Sequence, residues 1–166
     1  MNTTDDLLPA NERRPVDRWF ANYSGDHRNA TNQALHVVCV PLILWSVIAL
    51  LWVIPVPAAL GRDGAWAGMA MAVAAIYYYR LSRPLGLVMA IKLVALGFLT
   101  HLLYGALGAT NLLWLAIAVF VVAWIGQFIG HRYEGKKPSF FTDLRYLLIG
   151  PAWVLSKLYR KLGLRW

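Results

Sequence analysis

Four apolar runs, at roughly 36–54, 65–81, 85–107 and 112–130, leave this chain few ways to fold. Each is close to the ~20 residues that the hydrocarbon core of a bilayer requires. No water-soluble fold accommodates four of them in 166 residues. The expected class is therefore all-α: an integral membrane helical bundle of about four transmembrane helices, with interfacial helices at the N- and C-terminal ends. Composition agrees, with 59% apolar and 14% charged residues against about 45–50% and about 25% in soluble domains. Pro55, Pro57, Gly61 and Gly64 close the first run, Ser82-Arg83-Pro84 separates the second from the third, and Gly108-Ala109-Thr110-Asn111 turns the chain into the fourth. Pro41 is expected to kink the first helix.

The flanks read differently. Residues 1–14 are polar and are expected to form a disordered tail, leaving 15–166 as a single multi-pass domain. No cleavable signal peptide is expected, because the chain stays polar for more than thirty residues. Val16, Trp19, Phe20 and Tyr23 recur at helical spacing and predict an amphipathic helix with aromatics at headgroup level. Leu144, Leu147, Leu148, Pro151, Leu155, Leu158, Tyr159 and Leu162 predict a second, which Gly150-Pro151 is expected to break or bend. Its unbroken part, 146–155, is too short to span. Tyr77, Tyr78 and Tyr79 read as an aromatic belt. A single Cys39 excludes a disulfide framework and a cysteine-based zinc site.

Charge sets the orientation. The net charge of +8 does not form a nucleic-acid stripe; the basic residues flank apolar runs, and anionic lipid headgroups are the expected partner. Of sixteen Lys and Arg, four precede the first run and eight follow the fourth, while Arg80 and Arg83 mark the middle loop. The positive-inside rule places both termini and that loop in the cytoplasm. His27, His36 and His131 then share the cytoplasmic face. His101 lies about sixteen residues into its run, or roughly 24 Å deep at about 1.5 Å per residue. Three histidines converge and the fourth does not. Lys92, only about 10 Å inside its run, snorkels back to the cytoplasmic interface.

The richest stretch is W-I-G-Q-F-I-G-H-R-Y-E-G-K-K-P, residues 124–138, where Gln127, His131 and Glu134 share one helical face. Neutral imidazoles suit Zn, Cu, Fe and Ni, and histidines with a carboxylate and open positions are the ligand set of non-haem Fe(II) oxygenases. His27, His36 and His131 are the candidate metal ligands, with Asp26 or Glu134 as an oxygen donor or an outer partner. Asn32 and Gln127 are candidates to orient a ligand or substrate. Bland alternatives stand beside these: histidines bound to water or headgroups, an ion pair of Glu134 with Lys136 or Lys137, helix caps at Asn32 and Asp26, and an interhelical hydrogen bond at Gln127.

D-H-R-N-A-T-N-Q-A-L-H-V-V-C-V-P-L, residues 26–42, and the second stretch together resemble the paired signatures of a membrane family whose fungal member is an iron-dependent 2-hydroxy-fatty-acid dioxygenase. The resemblance covers about 16–163. It implies Fe(II) held by His27, His36 and His131, without 2-oxoglutarate, and roles at the site for Asn32, Gln127 and Glu134. It further implies O2-dependent α-oxidation of a 2-hydroxy fatty acid to the acid one carbon shorter; Arg132, Lys136 or Lys137 would attract the carboxylate, or serve only as positive-inside anchors. Ala30 stands where many relatives have Pro. The expected setting is a bacterial inner membrane, or the endoplasmic reticulum in a eukaryote. Two rivals remain: a zinc-dependent membrane hydrolase using the same cluster, and a non-catalytic lipid-binding or scaffold protein whose histidines bond between helices.

Overall fold

The computed structural model describes residues 14–138, 141 and 145–164. Of the expected disordered tail, 1–13 lie outside the described residues; Arg14 pairs with Asp17 at 2.7 Å. The described chain is helical and holds no strand. It comprises α1 (Pro15–Gly25), α2 (Ala30–Trp52), a short 3-10 turn at Ala58–Leu60, α3 (Ala65–Leu81), α4 (Arg83–Glu134) and α5 (Tyr146–Lys161).

α4 is two helices in one. Gly108 adopts φ 74° and ψ 169° within it, a conformation that only glycine takes without strain. Its two arms, 83–107 and 109–134, fold back on each other there, so one residue does what the sequence assigned to a four-residue turn. The contacts fix the directions. Trp52, at the end of α2, meets His101 of the first arm, with ring centroids 6.0 Å apart. Trp45 and Ala49 pack on Leu112 and Ala116 of the second arm, and Asn32 lies against Gly130. The second arm is thus antiparallel to α2, and α3 is antiparallel to the first arm, giving four antiparallel segments. α2 and α4 are long and apolar enough to cross a membrane by length and composition; α3, at 17 residues, is shorter than that criterion. Only 22% of the most apolar window of α4 is buried within the protein. Leu87, Ile91, Val94, Phe98 and Val122 face outward.

Two expectations need correction. α2 begins at Ala30, six residues before the apolar run, because Asn29 caps it by accepting from the N–H groups of Thr31 and Asn32. Pro41 lies inside it, and Pro151 inside α5. Tyr78 does not join a belt: it is fully buried, and its hydroxyl donates to the Leu148 carbonyl at 2.9 Å.

α1 and α5 pack together across the end of the bundle where α2 starts and α4 ends. Val16, Phe20 and Tyr23 turn into the protein and join Ile149, Ala152 and Trp153 in one core cluster with Tyr78, Leu85 and Met89. The apolar face of α1 is therefore spent on α5 rather than on headgroups. Each such large apolar side chain stabilises this layer by about 1.5–3 kcal/mol.

The approach of α2 to the second arm of α4 depends on Gly126 and Gly130, a small-xxx-small pair. A Cβ at Gly126 would meet Cys39 Sγ at 2.6 Å, and one at Gly130 would meet Asn32 Oδ1 at 2.5 Å. Gly130→Ala is expected to lower stability by about 1–3 kcal/mol through overpacking. Gly105→Ala, with open space around it, is expected to be neutral or to stabilise by up to about 1 kcal/mol. Thermal melting in mild detergent compares the two; equal melting points would contradict the close approach.

Candidate metal centre

Three histidines from three parts of the chain meet beneath α5. His27 lies in the loop between α1 and α2, His36 two turns into α2, and His131 near the end of α4; all are buried. One ligand atom from each falls within 4.8 Å of the others. The ring centroids of His27 and His131 are 4.9 Å apart, and those of His36 and His131 5.0 Å. His101 is at the opposite end of the bundle, against Trp52.

Backbone carbonyls determine which nitrogens face inward. His27 Nδ1 lies 2.6 Å from the Tyr23 carbonyl, and His36 Nδ1 lies 2.9 Å from the Asn32 carbonyl. A carbonyl only accepts, so each Nδ1 carries the proton and each Nε2 keeps its lone pair. Those two Nε2 atoms face each other at 3.0 Å. Two lone pairs at that distance repel unless a cation is shared between them. Burial pushes the His27 imidazole down to about 4, against the raising effect of its bond to Tyr23, so at neutral pH it carries no ring charge of its own. His131 Nδ1 is buried without a hydrogen-bond partner. Three nitrogen donors with an orphaned atom among them fit a transition-metal ion.

The surrounding polar residues hold this arrangement. Glu134 Oε1 accepts from the backbone N–H of Arg28 at 2.8 Å; its Oε2 accepts from the N–H of Asn29 at 2.8 Å and from Asn32 Nδ2 at 3.0 Å. The carboxylate thus binds the N-terminal end of α2, where the helix dipole favours an anion. Asp26 pairs with Lys136 at 3.0 Å rather than pointing at the histidines. Gln33 Nε2 donates to the His27 carbonyl at 2.7 Å, and Lys157 Nζ donates to Gln33 Oε1 at 2.7 Å while lying 4.1 Å from the Trp153 ring centroid. Trp153 Nε1 donates to Ser24 Oγ at 2.8 Å. Tyr23 stacks on the His27 ring, centroids 4.0 Å apart and planes 10° apart.

An apolar cavity of about 370 Å³ opens on the cluster. His36, Gln127 and His131 line one end, and Val40, Ile43, Val47, Phe120 and Trp124 continue it between α2 and α4. From His36 to Val47 it runs roughly 16 Å at about 1.5 Å per residue. Gln127 Nε2 is buried there without a partner. A second, more polar space of about 620 Å³ also borders His131 and is lined by Arg132, Lys136 and Lys137. Sequence reasoning missed Tyr23, Gln33, Trp153 and Lys157. Only Tyr23 left a sequence signal, four residues before His27.

A family model described as Mpo1-like, 2-hydroxy-palmitic acid dioxygenase Mpo1-like, matches residues 13–162. No curated protein and no solved structure matches the chain.

The lowered His27 value has a consequence for stability. Between its ordinary value of 6.5 and about 4, the unfolded chain binds the proton and the folded chain does not. Stability therefore rises with pH across that window and is lost as pH falls through it. In chelator-treated protein the loss is expected to be on the order of 3 kcal/mol. His27→Gln should flatten the pH dependence of the melting temperature over this range; an unchanged slope would contradict a buried neutral imidazole.

Proposed function

The chain belongs to the Mpo1-like family, and from that premise we propose that it is an Fe(II)-dependent membrane dioxygenase, removing one carbon from a 2-hydroxy fatty acid with O2. The observation that carries this reading is the buried three-histidine cluster at the head of an apolar slot. His27, His36 and His131 would hold the metal, and the dioxygenase description of the family favours iron over zinc. When bound, the iron supplies Lewis acidity and a place for O2 beside its open positions.

The protein's own contributions are separable. Asn32 holds His36 through its carbonyl and Glu134 through its amide. Glu134, with both oxygens engaged by the start of α2, is a positioning residue. Gln127 offers an unpartnered N–H donor to the substrate head. The slot takes the alkyl chain, and burial of the cluster excludes bulk water. Four crossings fit this reading: α2, α3 and the two arms of α4, with both termini on the cytoplasmic side of a bacterial inner membrane. Arg28, Arg80, Arg83, Arg132, Lys136 and Lys137 all fall at the end that carries the site.

Protein purified in mild detergent and loaded anaerobically is expected to hold about one iron per chain. It should convert 2-hydroxyhexadecanoic acid to pentadecanoic acid when O2 is admitted. His131→Ala should abolish both, and Glu134→Ala should weaken iron binding by about 10–100-fold, as loss of an outer partner does. Elemental analysis and product mass spectrometry read these outcomes. Full iron occupancy without O2-dependent product would overturn the reading, and zinc with O2-independent hydrolysis would replace it.

A further inference from the structure

The Tyr23 hydroxyl is a polar group in an otherwise apolar stretch of the cavity wall. Tyr23 is 6% exposed and lines the apolar slot beside His36. Its backbone carbonyl fixes His27, and its ring stacks on the same imidazole. Its hydroxyl makes no hydrogen bond among the described residues. That hydroxyl lies between α5 and α2: a Cβ on Gly150 would come 3.1 Å from it and 4.0 Å from Val40 Cγ1. Gly150 and Val40 line the same slot. The hydroxyl is open to the slot, so a ligand there can pair with it directly.

The position selects among ligand atoms. The basic residues Arg132 and Lys137 line the second space and not the slot, and a carboxylate finds positive charge there. Tyr23 is on the α1–α5 side, among Val40, Leu44, Gly150 and Pro151. A neutral hydroxyl in an apolar wall complements another neutral hydroxyl, since each both donates and accepts.

We propose that Tyr23 is a specificity-determining residue, whose hydroxyl hydrogen-bonds the hydroxyl on carbon 2 of the substrate and selects 2-hydroxy acids over unsubstituted ones. This rests on the proposed function above. A site that bonds a substrate hydroxyl penalises the analogue lacking it, because its own polar group is left unpaired. Tyr23→Phe removes only an unpartnered hydroxyl and keeps both the stacked ring and the carbonyl that orients His27. Fold and iron content are therefore expected to be unchanged.

The test is equilibrium binding, by calorimetry, of 2-hydroxyhexadecanoic and hexadecanoic acids to anaerobic iron-loaded protein, where no turnover occurs. Wild type is expected to prefer the 2-hydroxy acid, and Tyr23→Phe to cut that preference about tenfold by weakening the 2-hydroxy acid alone. A preference fully retained in Tyr23→Phe would overturn the role of Tyr23 while leaving the proposed function standing. A wild type that binds both acids equally, or neither, would overturn both. Equal weakening of both acids in the variant would make Tyr23 a wall residue and overturn the selection.

Discussion

Two carbonyls set the chemistry of this protein. The Tyr23 and Asn32 carbonyls each accept from an imidazole four residues further on, and in doing so turn the Nε2 lone pairs of His27 and His36 toward each other at 3.0 Å. Left alone, that geometry is repulsive; with a shared cation it is favourable. The fold must therefore deliver three things: two local turns that hold the carbonyls, a third imidazole from a distant part of the chain, and enough burial to keep water from the cluster.

The rest of the structure can be read as meeting those demands. The third imidazole arrives because Gly126 and Gly130 let the second arm of α4 approach α2, and Glu134 fastens that arm to the start of α2. Burial comes from α5, whose Trp153 lies 5.3 Å from the His27 ring and 6.5 Å from the His36 ring. In the membrane setting of the proposed function the two layers are stabilised differently. Apolar helices gain little by leaving lipid for each other, so close packing and hydrogen bonds hold α2 to α4. α1 and α5 cover the end of the bundle at the water boundary, where burying Val16, Phe20 and Trp153 is favoured by the hydrophobic effect. The histidine cluster lies at the junction of the two layers.

Much of this was legible in the sequence, and the limits have physical causes. Helical spacing placed Gln127, His131 and Glu134 on one face, and depth arithmetic separated His101 from the other histidines. Both inferences need only the 1.5 Å rise and the side-chain period. The destination of Glu134 was not legible, because its partners are backbone N–H groups more than a hundred residues away. α1 was read as lying on headgroups because an amphipathic stripe does not say whether lipid or α5 will cover it. Tyr78 looked like its two neighbours, yet only it reaches the Leu148 carbonyl. The early start of α2 escaped a hydropathy reading because its first turns are polar and are stabilised by Asn29 and Glu134 rather than by apolar burial.

The central claim is that His27, His36 and His131 face one shared cation. X-ray absorption at the metal edge of anaerobically iron-loaded protein tests it most directly. Scattering from three imidazole rings per iron, falling to two in His27→Ala, is the result this account predicts. A shell of oxygen ligands without imidazole scattering, at full iron occupancy, would contradict it.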